Sequence, residues 1–203
     1  FYNFEDSKLN DSQNKKLTNL VKSKIKGSDI VLVADYDHGM ISQGLANLIS
    51  KNSKFLVTNT QYNAANIGHH TINKYKNTDH LFTNEKELRH EMRDKRSDLK
   101  IIIKKFMKNS KIKNLIVTRG SKGALMFTSK SKQFYKSGAY TGKIIDKIGA
   151  GDTMMSIFSL IMKASNDPAL SIFLGSLAAG YSVENIGNSK HVTYRTLSKS
   201  LTH

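Results

Sequence analysis

Asp146-Lys147-Ile148-Gly149-Ala150-Gly151-Asp152-Thr153 leads directly into a run in which Met154, Met155, Ile157, Phe158, Leu160 and Ile161 recur at helical spacing. Two glycines around a small residue thus stand at the start of a helix expected over about residues 151–164. The first N–H groups of a helix have no partner inside it, and the helix dipole adds positive potential, so such a start is an anion site. Glycine lets that backbone approach a phosphate closely. A carboxylate in the first turn, here Asp152, can accept a proton from a hydroxyl held beside it. An anion cradle next to a base is what phosphoryl transfer to an alcohol requires. Taken alone, the same residues also read as an ordinary helix start, with Asp152 as a cap and Gly149 and Gly151 as turn residues.

Upstream of this stretch the hydrophobic rhythm alternates between helix and strand. Leu17, Leu20, Val21 and Ile25 predict an amphipathic helix over about 11–26, ended by Gly27. Ile30-Val31-Leu32-Val33-Ala34 is a continuous β-rich run, expected as a strand buried on both faces. Leu45, Leu48 and Ile49 mark a helix, Phe55-Leu56-Val57 a strand and Leu81-Phe82 a short strand. Helices follow from about Glu85 and over Leu99 to Met107, then a strand at Leu115-Ile116-Val117. Ala124-Leu125-Met126-Phe127 and Gln133-Phe134-Tyr135 predict an antiparallel hairpin. Pro168, the only proline, suits the first turn of a last helix. This alternation implies an α/β fold with a mostly parallel sheet and helices on both faces. No repeat, low-complexity tract or linker interrupts residues 1–203, so a single domain is expected.

Three more segments sit where strands end, and ligands of open α/β sheets bind at the carboxyl ends of strands. Thr118-Arg119-Gly120-Ser121-Lys122-Gly123 offers a hydroxyl, a charge and a tight turn, or else a plain hairpin connection. Asn84-Glu85-Lys86-Glu87 reads most simply as a capping box. Ala34-Asp35-Tyr36-Asp37-His38-Gly39 ends a strand with a carboxylate.

In their order and spacing, Asp-Tyr-x-x-Gly, Asn-x-x-Glu, Thr-Arg-Gly-x-x-Gly and Gly-Ala-Gly-Asp-Thr resemble the C-terminal two-thirds of the ribokinase-like, or PfkB, carbohydrate kinases, from about residue 28 to 197. The stretch from Ala178 to Gly187 looks most like the kinase half of bifunctional heptose-7-phosphate kinase/nucleotidyltransferases. The resemblance implies a three-layer α/β/α domain whose N-terminal strands and lid are missing from this chain. It implies phosphoryl transfer from ATP, with Mg²⁺, to a sugar or sugar-phosphate hydroxyl. Asp152 would be the general base, and Gly149, Ala150 and Gly151 the anion hole. Asn84 and Glu87 would lie near the phosphates, Glu87 meeting hydrated Mg²⁺ through water. Thr118, Arg119, Gly120 and Gly123 would line the nucleotide site, with Asn185 nearer the adenine. Asp35 and Asn59 would face the substrate. Two departures stand out. His38 occupies the place of the family's usual Lys, and Asn59-Thr60-Gln61-Tyr62-Asn63 replaces its common Asp-Pro pair. The implied partners are the lid segment, a fused nucleotidyltransferase and a second copy of the chain. Without the lid, this piece alone is expected to be inactive.

Composition narrows the other classes. The formal charge is +16, but only five of the 32 basic residues are Arg and the Lys are scattered, which argues against a nucleic-acid reader. Absence of Cys excludes a disulfide scaffold and a Cys-zinc site. No apolar run reaches the length of a membrane helix, and a cytoplasmic protein is expected. His69-His70 are adjacent and so point apart on a helix, a poor metal pair. The rival readings are a nucleotide-binding scaffold without catalysis and a basic nucleic-acid-binding protein.

Overall fold

The computed structural model describes residues 8–61, 72–185 and 191–201. Phe1, Tyr2, Tyr62, Asn63, His69, His70 and Gly187 lie outside them. The chain divides into two compact units, residues 1–115 and 116–203, and the division runs through strand β4 (Asn114–Thr118).

In the first unit, α1 (Asp11–Ile25) starts with a capping box. The Gln13 N–H donates to Asn10 Oδ1 at 2.9 Å, and the Asn10 N–H donates to Gln13 Oε1 at 3.0 Å. Strand β1 (Val31–Asp35) pairs in parallel with β2 (Leu56–Thr60), Val33 opposite Thr58 and Asp35 opposite Thr60. Helix α2 (Gln43–Asn52), capped by Ser42, lies between them in sequence. Ile25, Val33, Leu45, Ala46, Ile49, Leu56 and Tyr75 form one buried cluster, flanked by Leu17 and Val21. The expected burial of β1 on both faces does not hold. Val33 and Asp35 are buried, whereas Leu32 is 40% exposed and Ala34 is also exposed. The helical apolar residues of that cluster pack on the Val33 side, and among the described residues the Leu32 side is left to solvent. Strand β2 is buried along all five residues. Strand β3 (His80–Asn84) pairs in parallel with β2 and runs into α3 (Glu85–Glu91). Helix α4 (Leu99–Lys108) buries Leu99, Ile102, Ile103, Phe106 and Met107, the stripe its three- and four-residue spacing dictates.

In the second unit, β5 (Ala124–Thr128) and β6 (Phe134–Ser137) make the expected antiparallel pair, Ala124 opposite Ser137 and Phe127 opposite Phe134. Helix α5 (Ala150–Ser165) is followed by α6 (Pro168–Val183), which Asp167 caps through the N–H groups of Ala169 and Leu170. These two helices approach closely at Gly175, where a Cβ would stand 3.1 Å from the Met154 carbonyl oxygen. A short helix, α7 (Tyr194–Leu201), had no signal in the sequence reading. The six strands run in chain order across the sheet. No helix among the described residues is long and apolar enough to cross a membrane.

Candidate functional site

The start of α5 is built as its glycines predict. Gly149 is the N-cap with φ +78°, a left-handed conformation that strains any residue carrying a side chain. The Ile148 N–H donates to Asp146 Oδ1 at 2.9 Å and turns the chain into the helix, where the Thr153 N–H meets the Gly149 carbonyl at 2.9 Å. Asp152 sits in the first turn, and Ser156 Oγ donates to its carbonyl at 2.8 Å. A Cβ on Gly151 would meet nothing within 4 Å, so the space beside this backbone is open.

That start forms one wall of a cavity of about 330 Å³, within the range of small-molecule sites. Ala150, Gly151 and Lys147 contribute from the α5 side, Thr118, Gly120 and Gly123 from the turn after β4, and Ser176, Ala179 and Gly180 from α6. The turn is tight for a reason. Gly123 has φ +75°, a Cβ there would lie 2.0 Å from the Ser137 carbonyl oxygen, and the Arg119 N–H closes the turn on the Gly123 carbonyl at 2.8 Å. Five of the expected site residues, Thr118, Gly120, Gly123, Ala150 and Gly151, therefore line one space. Arg119, Gly149, Asp152 and Asn185 adjoin it in sequence without lining it. Asn185 Nδ2 donates to the Tyr181 carbonyl at 2.9 Å, closing the end of α6.

The sequence reading missed Tyr140, Thr141 and Ser176, which complete the walls. Ser176 is 5% exposed and its hydroxyl has no hydrogen-bond partner among the described residues, so it suits a polar ligand atom. Glycine-led amides on one side and an apolar surface with one buried hydroxyl on the other fit a nucleotide, which presents phosphates at one end and a base at the other.

The remaining candidates belong to the first unit. Asp35 ends β1 and is buried. Its Oδ2 accepts from Tyr75 Oη at 2.7 Å and Lys74 Nζ at 2.8 Å, and its Oδ1 from the Asp37 N–H at 3.0 Å. Burial, and then the adjacent Asp35 charge and hydrogen bond, push the Tyr75 phenol far above its ordinary range. Lys74 also reaches Asp37 at 3.4 Å, and Asp37 itself has φ +55°. Asn59 is buried in β2. Asn84 and Glu87 make the capping box of α3, Asn84 Oδ1 accepting from the Glu87 N–H at 2.8 Å and Glu87 Oε2 from the Asn84 N–H at 2.9 Å. Glu87 Oε2 also takes the Thr83 hydroxyl at 3.0 Å. Among the described residues no group of three or more His, Cys, Asp or Glu is placed to hold a metal ion.

The chain matches the family described as pfkB family carbohydrate kinase over residues 4–193. It is 23% identical over 185 residues to the bifunctional protein HldE of Desulfatibacillum aliphaticivorans, covering 89% of this chain and 37% of that protein. Among solved structures, phosphofructokinase-2 from Escherichia coli superposes with a TM-score of 0.78 at 16% identity, covering 96% of this chain and 63% of that one. Arabidopsis thaliana ribokinase, complexed with ribose and ATP, gives a TM-score of 0.70 at 19% identity, covering 97% and 60%. These likenesses show the three-layer α/β ribokinase-like fold expected from the sequence.

Proposed function

Because the chain belongs to the pfkB family of carbohydrate kinases, we propose that it forms the nucleotide-binding and base-bearing part of a kinase that moves the γ-phosphoryl group of ATP to a hydroxyl of a sugar or sugar phosphate of heptose-phosphate type. The observation that carries this is the cavity in which the glycine-led start of α5 meets the turn after β4 and the Ser176 side of α6. A relative in fold binds ribose and ATP together, which supports a nucleotide as the occupant. The resemblance of the stretch from Ala178 to Gly187 supports the heptose-type substrate and a fused nucleotidyltransferase, and the name of the HldE relative, a bifunctional protein, agrees with a second activity elsewhere in the complete protein. The chain spans 37% of that relative, so a lid segment, the fused domain and any self-association belong to the proposal.

In the proposed step the sugar hydroxyl oxygen attacks the γ-phosphorus, its proton passes to the Asp152 carboxylate, and the bond to the β,γ-bridging oxygen breaks to release ADP. In this reading the backbone of Gly149, Ala150 and Gly151 meets the charge that grows on the transferring group, the Ala150 N–H giving up its long 3.4 Å bond to the Lys147 carbonyl. In other enzymes one such donor lowers the barrier by roughly 3–4 kcal/mol. Mg²⁺ bound with the nucleotide would supply charge neutralisation.

The test is Asp152→Asn in the complete protein. It should leave ATP affinity within a few-fold and cut sugar-dependent ADP release by about 10²–10⁴, the scale of general-base loss. Turnover close to wild type would remove Asp152 from this role.

A further inference from the structure

The segment from Gly138 to Ile148 has no helix or strand of its own, yet Tyr140, Thr141, Ile144 and Lys147 wall the cavity. A wall without its own ladder of hydrogen bonds needs anchors from elsewhere, since unpaired backbone groups are costly. The anchors come from the last turn of α6. The Ile145 and Asp146 N–H groups both donate to the Val183 carbonyl, at 2.8 and 3.1 Å. Gly180 lets the Tyr140 backbone lie against α6, for a Cβ there would fall 1.8 Å from the Tyr140 carbonyl oxygen. Glu184, the C-cap of α6, closes the set. Its Oε1 accepts from the Gly142 N–H at 2.8 Å and lies 3.2 Å from Thr141 Oγ1, whose single proton it shares with the Lys143 carbonyl at 3.1 Å. Glu184 does not line the cavity itself.

We propose that Glu184 is a positioning residue for nucleotide binding, acting through the Thr141–Gly142 backbone that it clasps. The inference rests on the nucleotide reading of the cavity. Charge-assisted bonds to a backbone amide are among the stronger ones, and both bonds here converge on a single oxygen. Losing them releases the wall while leaving the helices α5 and α6 intact. The pocket then has to be ordered by the incoming nucleotide, which lowers affinity without touching the chemistry. Glutamine keeps an acceptor oxygen at the same reach and preserves the clasp.

The experiment compares the full chain with Glu184→Ala and Glu184→Gln, reading two quantities. The first is amide hydrogen exchange at Gly142 without nucleotide, with amides in the middle of α5 as the control for an intact fold. The second is affinity for ADP and for a non-hydrolysable ATP analogue. In Glu184→Ala, exchange at Gly142 should rise and that in α5 stay the same. Nucleotide affinity should fall about 5- to 20-fold, the scale of one to two hydrogen bonds. In turnover assays of the complete protein the loss should appear in KM for ATP and not in kcat. Glu184→Gln should stay within about three-fold of wild type on every measure. Unchanged Gly142 exchange in Glu184→Ala, or a Gln variant as impaired as the Ala variant, overturns the clasp. Faster exchange with unchanged affinity overturns its link to the nucleotide. Failure of the wild-type chain to bind either nucleotide overturns the reading of the cavity, and with it this inference.

Discussion

His80 is 2% exposed at the start of β3, with its ring 5.1 Å from that of Phe55. Burial lowers its pKa from the ordinary 6.5 to about 4, with Lys113 adding to the shift and Asp79 opposing it. In the unfolded chain the imidazole keeps its ordinary pKa, so below about pH 6.5 the unfolded state binds more protons than the folded one. Stability from a neutral His80 is therefore complete above that pH and is lost as pH falls toward 4, by on the order of 3 kcal/mol over the window. Denaturant unfolding of His80→Gln between pH 7 and 4.5 should show a flatter dependence than wild type. An equally steep one would assign the effect to other groups. Asp35 is buried as well, and its side-chain oxygens are taken up by Lys74 and Tyr75. The family resemblance implies that Asp35 faces the substrate. The commitment of Asp35 to Lys74 and Tyr75, some forty positions away, depends on folding and leaves no local trace.

Elements were legible where one segment carried its own signal. The capping box of α3 is written in Asn84 and Glu87, and the left-handed start of α5 in Gly149. Strand β1 was misjudged because a continuous apolar run does not say what covers each face, and only the Val33 face meets α1 and α2. The wall at Tyr140 was illegible for a related reason. Its conformation is imposed by α6, through contacts that no spacing within residues 138–148 encodes. Gly180 shows how strict that imposition is. Gly180→Ala must push the Tyr140 backbone off the helix, and overpacking of this kind costs roughly 1–3 kcal/mol. We expect a lower melting temperature and weaker nucleotide binding. Gly151→Ala, whose Cβ meets nothing, should melt like wild type. Equal melting of the two variants would show that the contact at Gly180 yields without cost.

At the scale of the molecule, the motifs conveyed the family, and the hydrophobic rhythm conveyed parallel strands followed by one antiparallel pair. The scattered Lys left no mark on the motifs, which depend on glycines, hydroxyls and a few carboxylates. The absence of Trp has a use of its own. With no indole in the chain, its near-ultraviolet absorption and emission are dominated by the eight tyrosines. Tyr75, buried against the Asp35 carboxylate, resists ionisation while the fold stands. Its phenolate band should therefore appear late in an alkaline titration, together with unfolding, and that late phase should be missing from Tyr75→Phe. An unchanged late phase in that variant would mean another phenol is the reluctant one. The pairing of Asp35 with Tyr75 thus furnishes a built-in optical reporter, sensitive to the integrity of the first unit and needing no dye.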